Sequence, residues 1–328
     1  MPPRLTLEDK LAALTTLERN PSAPNTAEQL QRWLGDPQNI VVARAAGIIA
    51  QFDLQPSLPA LIAAFTRLID HPQPVSADKT CRAKEAIILA LDGLRNPDPD
   101  PYLRGMRHVQ MEPVWCGRAD SAAPLRAQCA SALARMRYFA AHFALTDLLV
   151  DAQAEPRQAA VNALIFLGGE RSELLLRLKV LTGDEDPRIV SACYVGLLDI
   201  EPERSLPFVA GFLTSENSEA VENAALALGA SRHEQAFPLL RAAWEHNSDL
   251  NLRKSLLLAL ALTRGEPAFD YLLHIMREEG GTTALLACDA LVIYGVDQRF
   301  RDRLATAVAA CHNPKLSDSF TAHFPPEP

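Results

Sequence analysis

Asp186-Pro-Arg-Ile-Val-Ser-Ala-Cys-Tyr-Val-Gly-Leu-Leu198 decides the fold, because its pattern returns along the chain. Apolar helices of this kind start at Glu155, Asp186, Asn217, Asp249 and Gly281, in steps of 31 or 32 residues. Ten residues past each start stand Ile165, Gly196, Ala227, Ala259 and Leu291; the next positions hold Phe166, Leu197, Leu228, Leu260 and Val292. Twenty residues past the first four starts, Leu175, Leu206, Phe237 and Phe269 each open a second helix. A period of this size means stacked helix pairs, each unable to bury its apolar face alone. Asp186, Asn217 and Asp249 suit the N-cap, where a side-chain oxygen accepts free N–H groups and contributes about 1 kcal/mol. Pro187 suits the first helical turn, which needs no N–H from it. The helices that open this way are apolar around most of their circumference, as in Ala224-Ala-Leu-Ala-Leu228, and are expected between neighbours. The alternate helices carry a narrower stripe (Leu206, Val209, Phe212, Leu213) and form the outer layer.

Helix-pair repeats of this length, with Asp-Pro at the inner start and an early proline in the outer helix (Pro207, Pro238), resemble HEAT repeats. The short alanine-rich form is similar to the bacterial HEAT-like repeats of phycobilisome-lyase type. The resemblance covers 140–296 and is traceable at Asp36-Pro37, followed by Arg44. The arginine expected inside the inner helix is present as Arg253 but is Val190, Val221 or Leu285 elsewhere. It implies an all-α chain, an α-solenoid or superhelix of stacked antiparallel helix pairs with about eight repeats. As single-domain organisation we expect N-terminal capping helices over 1–35, irregular repeats over 36–154 with an insertion at 96–123, and regular repeats over 155–296. A capping helix and a frayed tail (Pro325–Pro328) then fill 297–328.

Bulk properties narrow the function. Net charge is −8, which disfavours nucleic acid as a partner. Six cysteines without a C-x-x-C spacing fit a reducing compartment, so a cytoplasmic protein is expected. The start Met-Pro-Pro-Arg-Leu has no signal-peptide character, and the longest apolar run, Leu256–Leu262, is too short for a membrane. Neither a G-x-x-x-x-G-K-[ST] nor a G-x-G-x-x-G motif occurs, and no cofactor is expected. The sequence carries no signal for an oligomeric state.

The period fails in the first half, where inner helices begin near Asp36, Asp78, Ser121 and Glu155. The extra residues lie in the proline-rich Asp70–Ala77 connector and in 96–123. Insertions in repeat proteins fall on one face, frequently the binding face. Residues 101–137 hold six arginines (104, 107, 118, 126, 135, 137) against Glu112 and Asp120, a net +4 within an acidic chain. With Tyr102 and Trp115, this island is a candidate grip on another protein that has an anionic patch. The candidate contact residues are Tyr102, Arg104, Arg107, His108, Glu112, Trp115 and Arg118. The competing reading makes Trp115 a plug between helix layers and the arginines helix caps. His108, Glu112, Cys116 and Asp120 would share one face of a helix, as metal ligands do, but Pro113 and Gly117 argue against that helix. A hydrolase built on His108 and Cys116 lacks a third group placed by any motif. The expectation is a non-enzymatic interaction scaffold that holds a protein partner through the solenoid surface and the 96–123 segment. The family resemblance leaves two alternatives: a lyase or chaperone-like protein of the phycobilisome-lyase type, or a HEAT-like nucleic-acid protein or DNA glycosylase.

Overall fold

The computed structural model describes residues 5–325, so Pro326 to Pro328 of the expected frayed tail lie outside the described residues. The regular structure of the described chain is almost entirely helical, and the chain falls into two compact units that divide between Ser172 and Glu173.

In the first unit, α1 (Leu7–Arg19) and α2 (Thr26–Trp33) precede α3 (Asn39–Gln51) and α4 (Leu58–Ile69). A single turn, α5 (Pro74–Ala77), leads to α6 (Arg82–Gly93) and α7 (Asp100–Met106). A hairpin of β1 (Met111–Val114) and β2 (Gly117–Asp120) follows. The unit continues with α8 (Ala123–Arg135), α9 (Ala141–Leu148), α10 (Ala154–Leu167) and the start of α11 (Gly169–Thr182). The inner helices α3, α6, α8 and α10 pack side by side in that order, with α4, α7 and α9 laid against them. Ile48, Ile87, Ile88, Leu91, Leu133 and Leu164 make this core. Their burial, about 25 cal/mol per Å², is what holds the helices, since isolated helices this short are marginal in water.

The second unit repeats the plan with fewer irregularities. Its helices are α12 (Pro187–Ile200), α13 (Pro202–Ala210), α14 (Ser218–Ser231), α15 (Ala236–His246), α16 (Leu250–Leu262), α17 (Glu266–Glu278) and α18 (Gly281–Leu291). The last two are α19 (Gln298–Ala310) and α20 (Pro314–His323). Inner helices α12, α14, α16 and α18 stack in series. Asp186, Asn217 and Asp249 cap three of them as expected, Asp186 accepting one N–H of the first turn and the other two accepting two each. Gly229 lets α14 approach α16 so closely that a Cβ there would lie 2.2 Å from the Ala259 carbonyl oxygen. Outer helices begin before their apolar stripes do: α11 at Gly169 rather than Leu175, α17 at Glu266 rather than Phe269. Each unit is therefore a series of packed helix pairs, the α-solenoid class. Among the described residues no helix is long and apolar enough to cross a membrane.

Candidate functional site

The 96–123 segment forms neither an open loop nor one continuous helix. It contains α7 and then the hairpin, in register Met111↔Asp120, Glu112↔Ala119, Pro113↔Arg118 and Val114↔Gly117. Trp115 and Cys116 make the two-residue turn, closed by Gly117 at φ +117°, a value that glycine adopts freely. Pro113 lacks an N–H, which a strand at a sheet edge tolerates.

Two four-residue strands do not hold themselves together in water. A buried polar network holds these. Glu112 is only 5% exposed, and its Oε1 accepts from the Thr80 N–H (2.6 Å), Gln110 Nε2 (2.7 Å) and the Ser121 hydroxyl (2.6 Å). Burial works against its ionised form; the bonds from Ser121, Gln110 and Thr80 outweigh burial and hold Glu112 below the ordinary carboxylate range. Gln110 is the hub, since its amide also donates to the Asp78 carbonyl (2.8 Å) and its Oε1 accepts from Lys84 Nζ (2.8 Å). Lys84 and Asp78 are completely buried and pair at 3.4 Å. Asp78 further accepts from Asn39 Nδ2 and from the N–H groups of Ala83 and Lys84, each at 2.9 Å, so it caps α6 from outside the helix. The intervening Thr80 and Cys81 take φ values of +61° and +52°. Such a conformation costs a β-branched residue about 1–3 kcal/mol and points the Thr80 N–H at Glu112.

The hairpin base is fixed separately. Asp120 accepts from the N–H groups of Gln110 and Ala122 and pairs with Arg126 at 2.7 Å. Arg126, itself buried, also grips Asp151 (2.7 and 2.9 Å) and the His108 carbonyl (2.9 Å). Bonds of this charged kind are worth about 1.5–3 kcal/mol each. His108 lies half-buried beside Gln110, and burial together with the Lys84 ammonium keeps it below the usual histidine range.

The tip is the opposite of the base. Trp115 is 100% exposed, so it plugs no gap between layers; Val114 next to it is exposed too, as are Val109 and Met111 at the other end of β1. The seven candidate contact residues separate accordingly. Tyr102 is buried in the core and Glu112 is committed inward, so both position rather than present. Arg104 is paired with Asp70. Arg118 lies across from Pro113, with its Nη2 donating to the Met111 carbonyl, and Arg107 sits at the end of α7 where the chain turns toward β1. Neither has an acidic partner among the described residues. The arginine island is thus partly internal, since Arg126 and Arg135 also have acidic partners, Asp120 and Asp151 for one and Asp92 for the other. Arg137 stands 5.7 Å over the Phe166 ring. The four residues of the would-be metal ladder diverge, with Glu112 turned inward and Cys116 at the exposed turn. Among the described residues no group of three or more His, Cys, Asp or Glu side chains is placed to hold a metal. Sequence reasoning missed Asn39, Lys84 and Gln110, and read Asp78 and Ser121 only as helix starts, not as members of this network. The one available signal was Lys84 on a helix that otherwise reads as core.

No protein-family model matches the chain, and no curated protein does. Among solved structures it is similar to a Kap121p mutant, with a TM-score of 0.51 and 16% identity. That likeness covers 98% of this chain and 38% of the Kap121p chain. A second similar structure is human deoxyhypusine hydroxylase in complex with glycerol, with TM-score 0.31, 17% identity, and coverage of 80% and 92% of the two chains. The Kap121p likeness shows the fold: a chain of α-helical repeats.

Proposed function

We propose that the chain is a non-enzymatic interaction scaffold that docks another protein on the tip of the 111–120 hairpin. The carrying observation is Trp115, wholly exposed on a hairpin whose base is bolted into the core. A large, fully exposed aromatic ring next to the exposed Val114 suits an anchor that buries on binding. A rigid mount favours that role, because little conformational freedom is lost when the anchor engages. Arg118 on the hairpin and Arg107 at the end of α7, neither with an acidic partner among the described residues, suit carboxylates on the partner, which would carry an anionic rim around an apolar pocket. Burial pushes the thiols of Cys81 and Cys288 up to about 11 and that of Cys193 up to about 12, which disfavours these three of the six cysteines as nucleophiles. All six are free, in keeping with a cytoplasmic setting. The Asp and Asn caps at the inner-helix starts of the second unit suit a HEAT-like form of repeat.

The test uses a photo-crosslinker attached at the exposed Cys116 to trap and identify the partner, followed by titration of the purified pair. Trp115→Ala is expected to weaken binding by about 2 kcal/mol, roughly 30-fold, without lowering the melting temperature. Unchanged affinity in that variant would refute the proposal, as would binding of the tip to phospholipid vesicles in place of protein.

A further inference from the structure

All of the chain's net charge belongs to the second unit: residues 173–328 hold 22 acidic and 14 basic side chains, whereas residues 1–172 hold 18 of each. Within that unit a groove of about 690 Å³ runs between α15 and α17, a size typical of ligand clefts. Aromatic rings line it. Trp244 is buried, and Phe237 and Tyr271 are half-buried and meet edge to face at 6.0 Å. The carboxylates of Glu245, Glu278 and Glu279 line it too.

Two guanidinium groups of the chain itself already occupy this chemistry in one repeated arrangement, a ring beneath and a carboxylate beside. Arg253 lies 4.0 Å over the Trp244 ring and 3.4 Å from Glu279. Arg241 lies 4.9 Å over the Tyr271 ring and 2.7 Å from Glu245, which also accepts from the Tyr271 hydroxyl. What is left unspent is acidic. Glu278 makes no hydrogen bond or ion pair among the described residues, and Glu279 has only the long contact to Arg253. The remaining ring surface of Phe237 and Tyr271 suits planar cations, which gain most where water is partly excluded.

We propose that this groove binds an extended segment of another protein that carries arginine side chains. Incoming guanidinium groups pair with Glu278 and Glu279 and lie on the exposed ring surface, repeating the arrangement that Arg253 and Arg241 make internally. The surface is independent of the hairpin and draws on the opposite charge.

The test titrates the full chain with an acetylated, amidated peptide of alternating glycine and arginine, by calorimetry at physiological ionic strength. One peptide per chain is expected to bind. Glu278→Gln with Glu279→Gln should weaken it about tenfold or more. Glu216→Gln with Glu234→Gln makes the same charge change on exposed residues elsewhere in the unit and should change affinity by less than about twofold. Trp115→Ala should leave it unchanged, which separates this groove from the hairpin. Absence of binding would overturn the proposal, and so would equal weakening by both double variants, the mark of general attraction to an acidic surface.

Discussion

Replacing Glu112 by alanine tests whether the hairpin is held by its buried network or merely rests on the repeats. The side chain is nearly inaccessible, and one oxygen takes three bonds of 2.6 to 2.7 Å. In Glu112→Ala the Ser121 hydroxyl keeps a partner, the Gln110 carbonyl at 3.2 Å. The Thr80 N–H loses its acceptor, and Gln110 Nε2 keeps only the Asp78 carbonyl. The Thr80 N–H is only part-buried, so leaving it without an acceptor costs about 1 kcal/mol, and the lost charge-assisted bonds add to that. Thr80 is then free to leave its left-handed conformation, which returns about 1 kcal/mol. The net expectation is a loss of about 3 kcal/mol in the first unit. Glu112→Gln, which retains an acceptor but not the charge, should lose about half as much. Because two compact units can unfold separately, the sharper assay is local: amide hydrogen exchange across residues 108–122, alongside urea unfolding followed in the first unit. The pH dependence has a definite sign. With its folded value held below the ordinary carboxylate range, Glu112 contributes stability that is fully present above about pH 4.3 and is lost as pH falls through the folded value. A loss under about 1 kcal/mol in Glu112→Ala, with hairpin exchange unchanged, would refute the reasoning.

Two further perturbations address the repeats. Gly229→Ala places a Cβ 2.2 Å from the Ala259 carbonyl oxygen and 2.8 Å from its carbon, so α14 and α16 must separate; we expect a loss of about 3 kcal/mol by urea unfolding, and a change below about 1 kcal/mol would contradict the close approach. Burial, with Asp78 and Glu155 nearby, raises Glu85 to about 7, so it weakens the fold progressively as pH rises from about 4.5 to 7 and by a constant amount above that. Glu85→Gln should therefore stabilise at pH 8 by about 1 kcal/mol, discounted because the side chain is half in water, and the gain should vanish in melts below pH 4.5.

The regular repeats were legible because their signals are local. An Asp or Asn cap and the apolar period that follows lie within one turn of each other, and α12, α14 and α16 start where Asp186, Asn217 and Asp249 say. Outer starts were displaced because an apolar stripe marks where a helix meets the core. Helix α11 begins six residues earlier, at Gly169, since Gly168 and Gly169 at φ +65° and +76° turn the chain without a loop. Helix α20 escaped notice because it buries little beyond Leu316 and shows no sustained apolar period. The hairpin was visible only as an irregularity. Its strands are too short for a period-2 pattern, its turn is Trp-Cys rather than Asn-Gly, and the residue that fixes Glu112 through its N–H, Thr80, is 32 positions away.

The way the hairpin joins α6 explains why the repeat breaks where it does. In α12 the cap sits directly before the helix, Asp186 accepting from Arg188. In α6 the capping Asp78 lies four residues upstream of the first helical residue, and the left-handed Thr80–Cys81 pair absorbs the added length. That detour turns one N–H outward, beside the positive end of α6, and Glu112 of the hairpin occupies it. Two carboxylates thus share one helix start, with Lys84 between Asp78 and Gln110 to balance them. The insertion is consequently wired into the repeat, and the orientation of Trp115 follows from the geometry of α6. Weakening that connection should slacken the tip and add its ordering cost to any docking event, even though neither Glu112 nor Thr80 touches a partner.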